Sequence, residues 1–205
     1  MLEEDGLITF LTTQMLKQGI TQLAKWRQIL PQLRLSVNFS APDIANPELV
    51  AQLSTLLALH GLPAEALIVE ITESILIEQS ETVMAQLANL KQLGVAIALD
   101  DFGTGLSSLS HLRQLPVQSV KVDCSFINDL HKSDIHTAIT GAIIDMARNL
   151  GLGVIAEGVE EKEVEQKLLR MGCNRGQGFL YSRPFELSGF AVWLKHWQQQ
   201  QTKSQ

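Results

Sequence analysis

Short apolar runs alternate with longer amphipathic stretches along this chain of 205 residues. The apolar runs have the length of strands, and they lie at residues 33–40, 66–71, 95–100, 117–123, 153–157 and 173–179. The amphipathic stretches have helical spacing, and they lie at residues 8–30, 47–60, 81–93, 135–150, 160–171 and 187–200. Strict alternation of this kind predicts an α/β fold, in which helices cover a parallel sheet through right-handed crossovers.

The number of predicted strands leaves two arrangements open. A (β/α)₈ barrel needs eight parallel strands to close, and this chain supplies about six. Either the sheet is open and doubly wound, or the chain is a barrel from which two strands are missing. In both arrangements the carboxyl ends of the strands meet at one edge, where such folds place their active sites.

Polar residues stand at or just after the ends of the predicted strands. Alternation along the first strand puts four polar side chains on one face, at Arg34, Ser36, Asn38 and Ser40. The later strands end in acidic residues and one lysine, namely Glu70 with Glu73 after it, Asp100 and Asp101, Lys121, and Glu157. We therefore expect an amide oxygen, several carboxylates and one ammonium group to converge at the rim of the sheet.

Carboxylates crowded at one rim repel each other unless a cation lies between them. Oxygen ligands without His or Cys favour hard cations such as Mg²⁺ or Mn²⁺ over zinc. Two such ions about 3.5–4 Å apart are a common device for phosphodiester hydrolysis, because they clamp the phosphate and lower the pKa of the attacking water. The alternative is that each acidic residue only caps a helix, which is an even choice for one residue and a poor explanation for all of them.

The composition limits the cellular context and the partners of the chain. A net charge of −6 argues against a DNA- or RNA-binding surface, which needs an excess of Lys and Arg. The sequence has no apolar run of the roughly 18 residues that a membrane span requires, and no signal peptide opens it. Two cysteines, Cys124 and Cys173, suit a reducing compartment. We expect a cytoplasmic location.

Five segments of the sequence are similar to successive blocks of one known family. They read LSVNFSAPDI, VEITES, ALDDFGTGLSSLSHLRQLPVQSVKVDCSFI, VIAEGVEEKE and GCNRGQGFLYSRPF. In order and spacing they resemble the EAL domain family, from about residue 2 to residue 190. The resemblance implies a modified TIM (β/α)₈ barrel that hydrolyses cyclic di-GMP to linear pGpG with two Mg²⁺ or Mn²⁺ ions.

The resemblance also implies which residues hold the metal ions. Asn38, Glu70 and Asp100 match metal ligands of the family, and Asp100 matches the ligand that bridges the two ions. Asp101 matches a ligand of the second ion, and Glu157 matches a further acidic group at the site. By this resemblance, both aspartates and Glu157 belong to the catalytic machinery as well as to the metal ligands.

The remaining roles that the resemblance implies concern water, loop and substrate. Lys121 is similar to the lysine that orients or activates the attacking water. Glu73 matches the residue that holds the loop 101–105 in its working shape. Substrate contacts are expected from Gln177, Pro184 and Ser40.

The tripeptide Glu65-Ala66-Leu67 spells the name of the family, but it is not the family's motif. It leads into VEITES, so that Glu65 stands at the wrong end of a strand for a rim ligand. The motif of the family lies on a strand upstream of the segment 1–11, so we expect its glutamate, an arginine and two strands to be absent. We expect a single EAL-type domain over residues 1–200, truncated in the N-terminal part of its barrel, and a polar tail at 201–205.

Three explanations of this truncation stay open, namely a truncated gene product, a fragment of a longer parent, and a chain that a partner completes. Three functions stay open as well: a cyclic di-GMP phosphodiesterase, an inactive receptor for cyclic di-GMP, and a protein-interaction module. The resemblance further implies a homodimer, and sensory or GGDEF domains in a longer parent.

Overall fold

A computed structural model describes residues 7–75, 80–105 and 112–203. Five parallel strands form one sheet, and they are β1 (Leu35–Asn38), β2 (Leu67–Thr72), β3 (Ala96–Phe102), β4 (Ser119–Val122) and β5 (Gly153–Ala156). Their order in the sheet is their order in the chain. A doubly wound sheet reverses its strand order at a switch point, whereas a barrel adds each strand beside the previous one. The α/β, TIM-barrel type of fold is therefore confirmed, and the doubly wound alternative is excluded.

The helices lie close to the positions that the sequence predicts. They are α1 (Leu7–Arg27), α2 (Ala41–Ala45), α3 (Leu49–Leu59), α4 (Glu81–Leu93), α5 (Cys124–Ile127), α6 (Asp134–Asn149), α7 (Lys162–Arg170) and α8 (Phe190–Lys203). The short helices α2 and α5 are not predicted, and each begins directly after a residue whose side chain caps it, Ser40 or Asp123. Helix α8 continues through Lys203, into the segment 201–205 that the sequence predicts as a polar tail.

The strand register separates the sheet into an apolar face and a polar face. Pairing of Asn38 with Glu70 puts these neighbours on the same face, and pairing of Val122 with Ala156 aligns β4 with β5. The face toward the helices is apolar and fully buried at its centre, at Leu67, Val69, Ile97, Leu99, Val120 and Val122. The opposite face carries the polar residues of the strand ends, as the inside of a barrel does.

Helices cover the apolar face through stripes at helical spacing. In α1 the stripe is Leu16, Ile20 and Leu23, and in α4 it includes Leu87 and Leu90. All but Leu23 belong to one hydrophobic core that also contains the central strands. This packing fixes the sheet, and with it the positions of the strand ends.

The sixth predicted strand, 173–179, is reduced to one parallel bridge between Gly176 and Ala156. Ala156 donates a backbone hydrogen bond to Arg175, and Gln177 donates one back to Ala156. Beyond Ala156 the chain turns through Gly158, whose φ of 69° is incompatible with a strand, so no regular strand pairing continues there, although Val159 still donates to Gln177 and accepts from Leu180. The segment thus follows the edge of β5 over a shorter length than predicted.

In the described ranges, no helix is both long enough and apolar enough to cross a bilayer.

Candidate active site

The polar face of the sheet holds three carboxylates in contact with one buried lysine, and a fourth carboxylate beside them. We call Glu70, Asp100, Asp101 and Glu157 together with Lys121 the acidic site. The ammonium nitrogen Nζ of Lys121 lies 2.9 Å from Glu70 Oε2, 2.8 Å from Asp100 Oδ1 and 2.8 Å from Glu157 Oε1. Lys121 is 3% exposed, and Glu70 and Asp100 are also buried. The sequence-predicted acids and lysine therefore converge, from β2, β3, β4 and the end of β5.

A β-bulge in β3 brings two adjacent aspartates to the same place. Neighbouring residues of a regular strand point to opposite faces. Between β3 and β4, however, Leu99 pairs with Val120 and Phe102 with Val122, so that β3 contains one extra residue. Asp101 adopts a left-handed φ of 53°, which few residues other than glycine do. As a result Asp100, Asp101 and Glu157 each place a ligand oxygen within 4.8 Å of the others.

Burial and crowding shift the pKa values in the acidic site. Burial raises the pKa of Asp101, and the nearby charge of Asp100 raises it further. Burial also raises the pKa of Glu157, against the hydrogen bond from Lys121, which lowers it. For Lys121 burial lowers the pKa, but hydrogen bonds to Asp100, Glu157 and Glu70 prevail, so that the net shift is upward. Lys121 therefore stays a cation. Added positive charge at the site would stabilise the ionised forms of Asp101 and Glu157.

Glu73 connects the loop after β2 with the loop after β3. Its Oε1 accepts a hydrogen bond of 2.9 Å from the backbone N–H of Gly103. Its Oε2 is buried without a hydrogen-bond partner among the described residues and lies against Gly105, where a Cβ atom would clash with it. This contact agrees with the loop-holding role that the resemblance implies for Glu73, which stays a prediction.

Strand register places two further predicted residues near the acidic site. Asn38 pairs with Glu70 and is exposed on the polar face of β1. Gln177 is exposed and follows Gly176, which pairs with Ala156, so Gln177 lies level with Glu157. These placements suit the predicted metal and substrate roles but do not test them.

Ser40 caps a helix, and Pro184 lies seven residues beyond Gln177 in the chain. The Ser40 hydroxyl donates to Asp43 Oδ2 at 2.7 Å and accepts from the Asp43 N–H, which caps α2. Pro184 is exposed in the loop before the turn Leu187–Gly189, and the register that places Gln177 does not extend to it. Substrate contacts of Ser40 and Pro184 stay predictions.

The donor set of the acidic site fits hard divalent cations. Its ligand atoms are carboxylate oxygens, three of which can approach one another within 4.8 Å, and neighbouring Asn38 adds an amide oxygen. Mg²⁺ and Mn²⁺ prefer oxygen ligands of this kind. Asp100, Asp101 and Glu157 would hold such an ion, and Glu70 and Asn38 stand on the adjoining strands.

A sheet of consecutive parallel strands with carboxylates at its strand ends defines a barrel-type domain that presents oxygen ligands to hard cations. The sequence model of the EAL domain matches residues 1–184, which is most of this chain. The chain belongs to the EAL domain family.

Named relatives support this assignment. The chain is 38% identical over 195 residues to the cyclic di-GMP phosphodiesterase PdeR of Escherichia coli, covering 95% of this chain and 30% of PdeR. It superposes with a TM-score of 0.86 on the MucR phosphodiesterase of Pseudomonas aeruginosa in complex with cyclic di-GMP, at 36% identity, covering 92% of this chain and 77% of that one. Klebsiella pneumoniae BlrP1, solved with manganese and cyclic di-GMP, gives a TM-score of 0.79 at 29% identity, over 86% of this chain and 44% of that one.

The chain spans less than two thirds of the curated relatives that it matches, 30% of PdeR and 33% of PA2567 of Pseudomonas aeruginosa. The activity in each of those names is that of the longer protein.

Proposed function

We propose that this chain carries a cyclic di-GMP phosphodiesterase site, which hydrolyses cyclic di-GMP to linear pGpG with two Mg²⁺ or Mn²⁺ ions. One observation carries the proposal, namely the convergence of three carboxylates on a buried lysine at the strand ends, with Asp101 beside two of them. The similarity to PdeR and to the complex of MucR with cyclic di-GMP supports the choice of substrate. The BlrP1 complex with manganese supports the choice of metal.

The residues of the acidic site divide the work of the reaction. Bound divalent ions supply Lewis acidity, which polarises the phosphate and lowers the pKa of water. Asp100 and Asp101 would hold these ions, whose positive charge would offset the repulsion between the phosphate and the acidic protein. The oxygen of water forms a bond to phosphorus and loses a proton, while the bond from phosphorus to a 3′ oxygen breaks and that oxygen takes up a proton. Lys121 orients the water through an N–H donor.

The other residues shape access to this site. Glu73 fixes the loop that carries Asp101, through Gly103. Gln177 lies beside Glu157 at the edge of β5, where a guanine or ribose group of the substrate would meet it. We further propose that Ser40 and Pro184 contact the ligand. We also propose that the protein is cytoplasmic, that it forms a homodimer, and that this domain belongs to a longer protein with sensory or GGDEF domains.

The second candidate is a receptor that binds cyclic di-GMP without cleaving it, an alternative that the sequence leaves open. A product analysis separates the candidates. The purified chain is incubated with cyclic di-GMP and Mn²⁺, and nucleotides are separated by chromatography while binding is measured by calorimetry. Linear pGpG supports the phosphodiesterase, and binding without conversion selects the receptor. If cyclic di-GMP is neither bound nor converted, both candidates are contradicted, and an interaction module is left.

A further inference from the structure

The ammonium group of Lys121 is surrounded by as many carboxylate oxygens as it has N–H donors, since it donates a hydrogen bond to Glu70 and forms close ion pairs with Asp100 and Glu157. A lysine ammonium group has three N–H donors and no acceptor. Each of the three points of contact is a carboxylate, with nitrogen–oxygen distances of 2.9 Å to Glu70, 2.8 Å to Asp100 and 2.8 Å to Glu157. To orient water, the lysine has to release at least one of these carboxylates.

The same carboxylates are the ones that a divalent cation would use. Asp100 and Glu157 belong both to the contacts of Lys121 and to the set of ligand oxygens within 4.8 Å. A metal ion at this set lies close to the ammonium group, and two cations in a largely buried site repel each other strongly. Metal and lysine therefore compete, either for the same oxygens or through direct repulsion.

No other cationic side chain takes part in this balance within the described ranges. Lys121 alone contacts Glu70, Asp100 and Glu157 within 4.0 Å among the lysines and arginines there. The four carboxylates of the acidic site would otherwise face each other uncompensated, because a buried charge needs a partner to persist. Within the part of the chain that the structure describes, Lys121 thus supplies all the positive charge in contact with these carboxylates.

We propose that Lys121 is an exchangeable counterion of the acidic site. It holds the carboxylates together, lowers their affinity for divalent cations by competition, and becomes free to orient water only when a metal ion takes over its carboxylates. The inference rests on the proposed metal-dependent function and adds a coupling to it. Metal binding and the availability of a Lys121 N–H to water become one event, so that the lysine is ready only in the loaded site.

The test compares Mn²⁺ affinity and thermal stability rather than activity. In Lys121→Met, a side chain of similar length replaces the cation. We expect the dissociation constant for Mn²⁺, measured by calorimetry, to fall at least tenfold relative to the wild type. We also expect the melting temperature without metal to fall, and saturating Mn²⁺ to raise it by more than it raises that of the wild type. An unchanged or weaker Mn²⁺ affinity overturns the proposal.

A matched control removes a lysine from a different acidic cluster. Lys132 is largely exposed and lies 3.7 Å from Glu161, which together with His131 and Glu163 forms a surface group with ligand atoms within 4.8 Å. Lys132→Met should leave the Mn²⁺ affinity unchanged. If Lys132→Met tightens Mn²⁺ binding as much as Lys121→Met does, the measured site is the surface group and the proposal is overturned.

Folding of the variant is itself informative. If Lys121→Met folds only in the presence of Mn²⁺, judged by circular dichroism, the metal replaces the lysine as counterion and the proposal is supported. If it stays unfolded at every Mn²⁺ concentration, the metal cannot take over that task and the proposal fails. The proposed function is judged separately, because wild-type turnover with unchanged Mn²⁺ affinity in Lys121→Met refutes only the coupling. Tighter Mn²⁺ binding without wild-type turnover refutes only the phosphodiesterase.

Discussion

The carboxylate of Glu73 contacts two glycines of the loop that follows β3. Oε1 accepts a hydrogen bond from the N–H of Gly103, and Oε2 lies beside Gly105. The φ of Gly103 is 104°, a conformation that suits glycine and reverses the chain directly after the two aspartates. We therefore expect the position of Asp101 to depend on Glu73, a residue that would not itself touch a metal ion.

We expect Glu73→Ala to lower kcat for cyclic di-GMP at least tenfold, because the Gly103 N–H loses its acceptor. A hydrogen bond to a charged carboxylate contributes about 1.5–3 kcal/mol, and its loss should loosen the loop. Glu73→Gln retains one acceptor oxygen and should fall between Ala and the wild type. The exposed Glu81→Ala serves as control and should keep the wild-type rate. Steady-state kinetics check the series, and equal rates for Glu73→Ala and Glu81→Ala would contradict the role of Glu73.

The convergence of Asp100 with Asp101 could not be predicted from strand periodicity. A period of two assigns adjacent residues to opposite faces of the sheet. The sequence ALDDF contains no signal that predicts a β-bulge. The resemblance to the family assigns both aspartates to the site, and the bulge with its left-handed Asp101 supplies the physical reason. By contrast, Glu70 and Lys121 could be assigned from their places toward the ends of predicted strands, because β2 and β4 are regular there.

Among the elements, helix α4 shows why some boundaries are predictable and others are not. Its predicted and observed limits coincide at Glu81–Leu93, because Ser80 precedes it and Gly94 ends it. Gly94 has a left-handed φ of 99° and donates its N–H to the carbonyls of Leu90 and Lys91. The segment 173–179 has no comparable local signal, and its pairing is limited by where β5 turns away.

The same substitution should have opposite effects at two glycines. Gly94→Ala forces a side chain into the left-handed conformation and should lower the free energy of unfolding by about 1 kcal/mol. Gly141 lies inside α6, where a Cβ atom would meet only Met171 at 3.5 Å. Gly141→Ala should raise the stability by about 0.5–1 kcal/mol, because alanine favours helices. Urea unfolding measures both values, and a loss of stability at Gly141 or a gain at Gly94 would refute this account of the helices.

At the scale of the whole molecule, aromatic contacts join the last helix to the first. Trp193 and Trp197 of α8 stack with ring centroids 5.5 Å apart, and Phe190 lies 5.7 Å from Trp193. Phe190 also contacts Trp26 of α1, with centroids 3.9 Å apart. The sequence predicts both helices but not this contact, because the contact joins residues that are far apart in the chain and share no pattern.

Phe190→Ala should lower the free energy of unfolding by about 1–3 kcal/mol, since it removes the contact between α1 and α8 from a half-buried position. The control is Phe179→Ala. Phe179 is 47% exposed and contacts Arg183, so its loss should cost less than about 1 kcal/mol. Chemical unfolding followed by tryptophan fluorescence measures both. Equal losses would mean that α8 contributes no specific packing against α1.

The most direct test of the proposed function is the initial rate of pGpG formation by this chain and by Asp100→Asn. The rate is followed by mass spectrometry with cyclic di-GMP and saturating Mn²⁺. The substitution keeps the shape of the side chain but removes the charge that the metal ions require. We expect the wild type to form pGpG and Asp100→Asn to be at least a hundredfold slower, a loss of about 2.7 kcal/mol or more in transition-state stabilisation. A folded Asp100→Asn variant with a rate near that of the wild type would contradict catalysis by the acidic site.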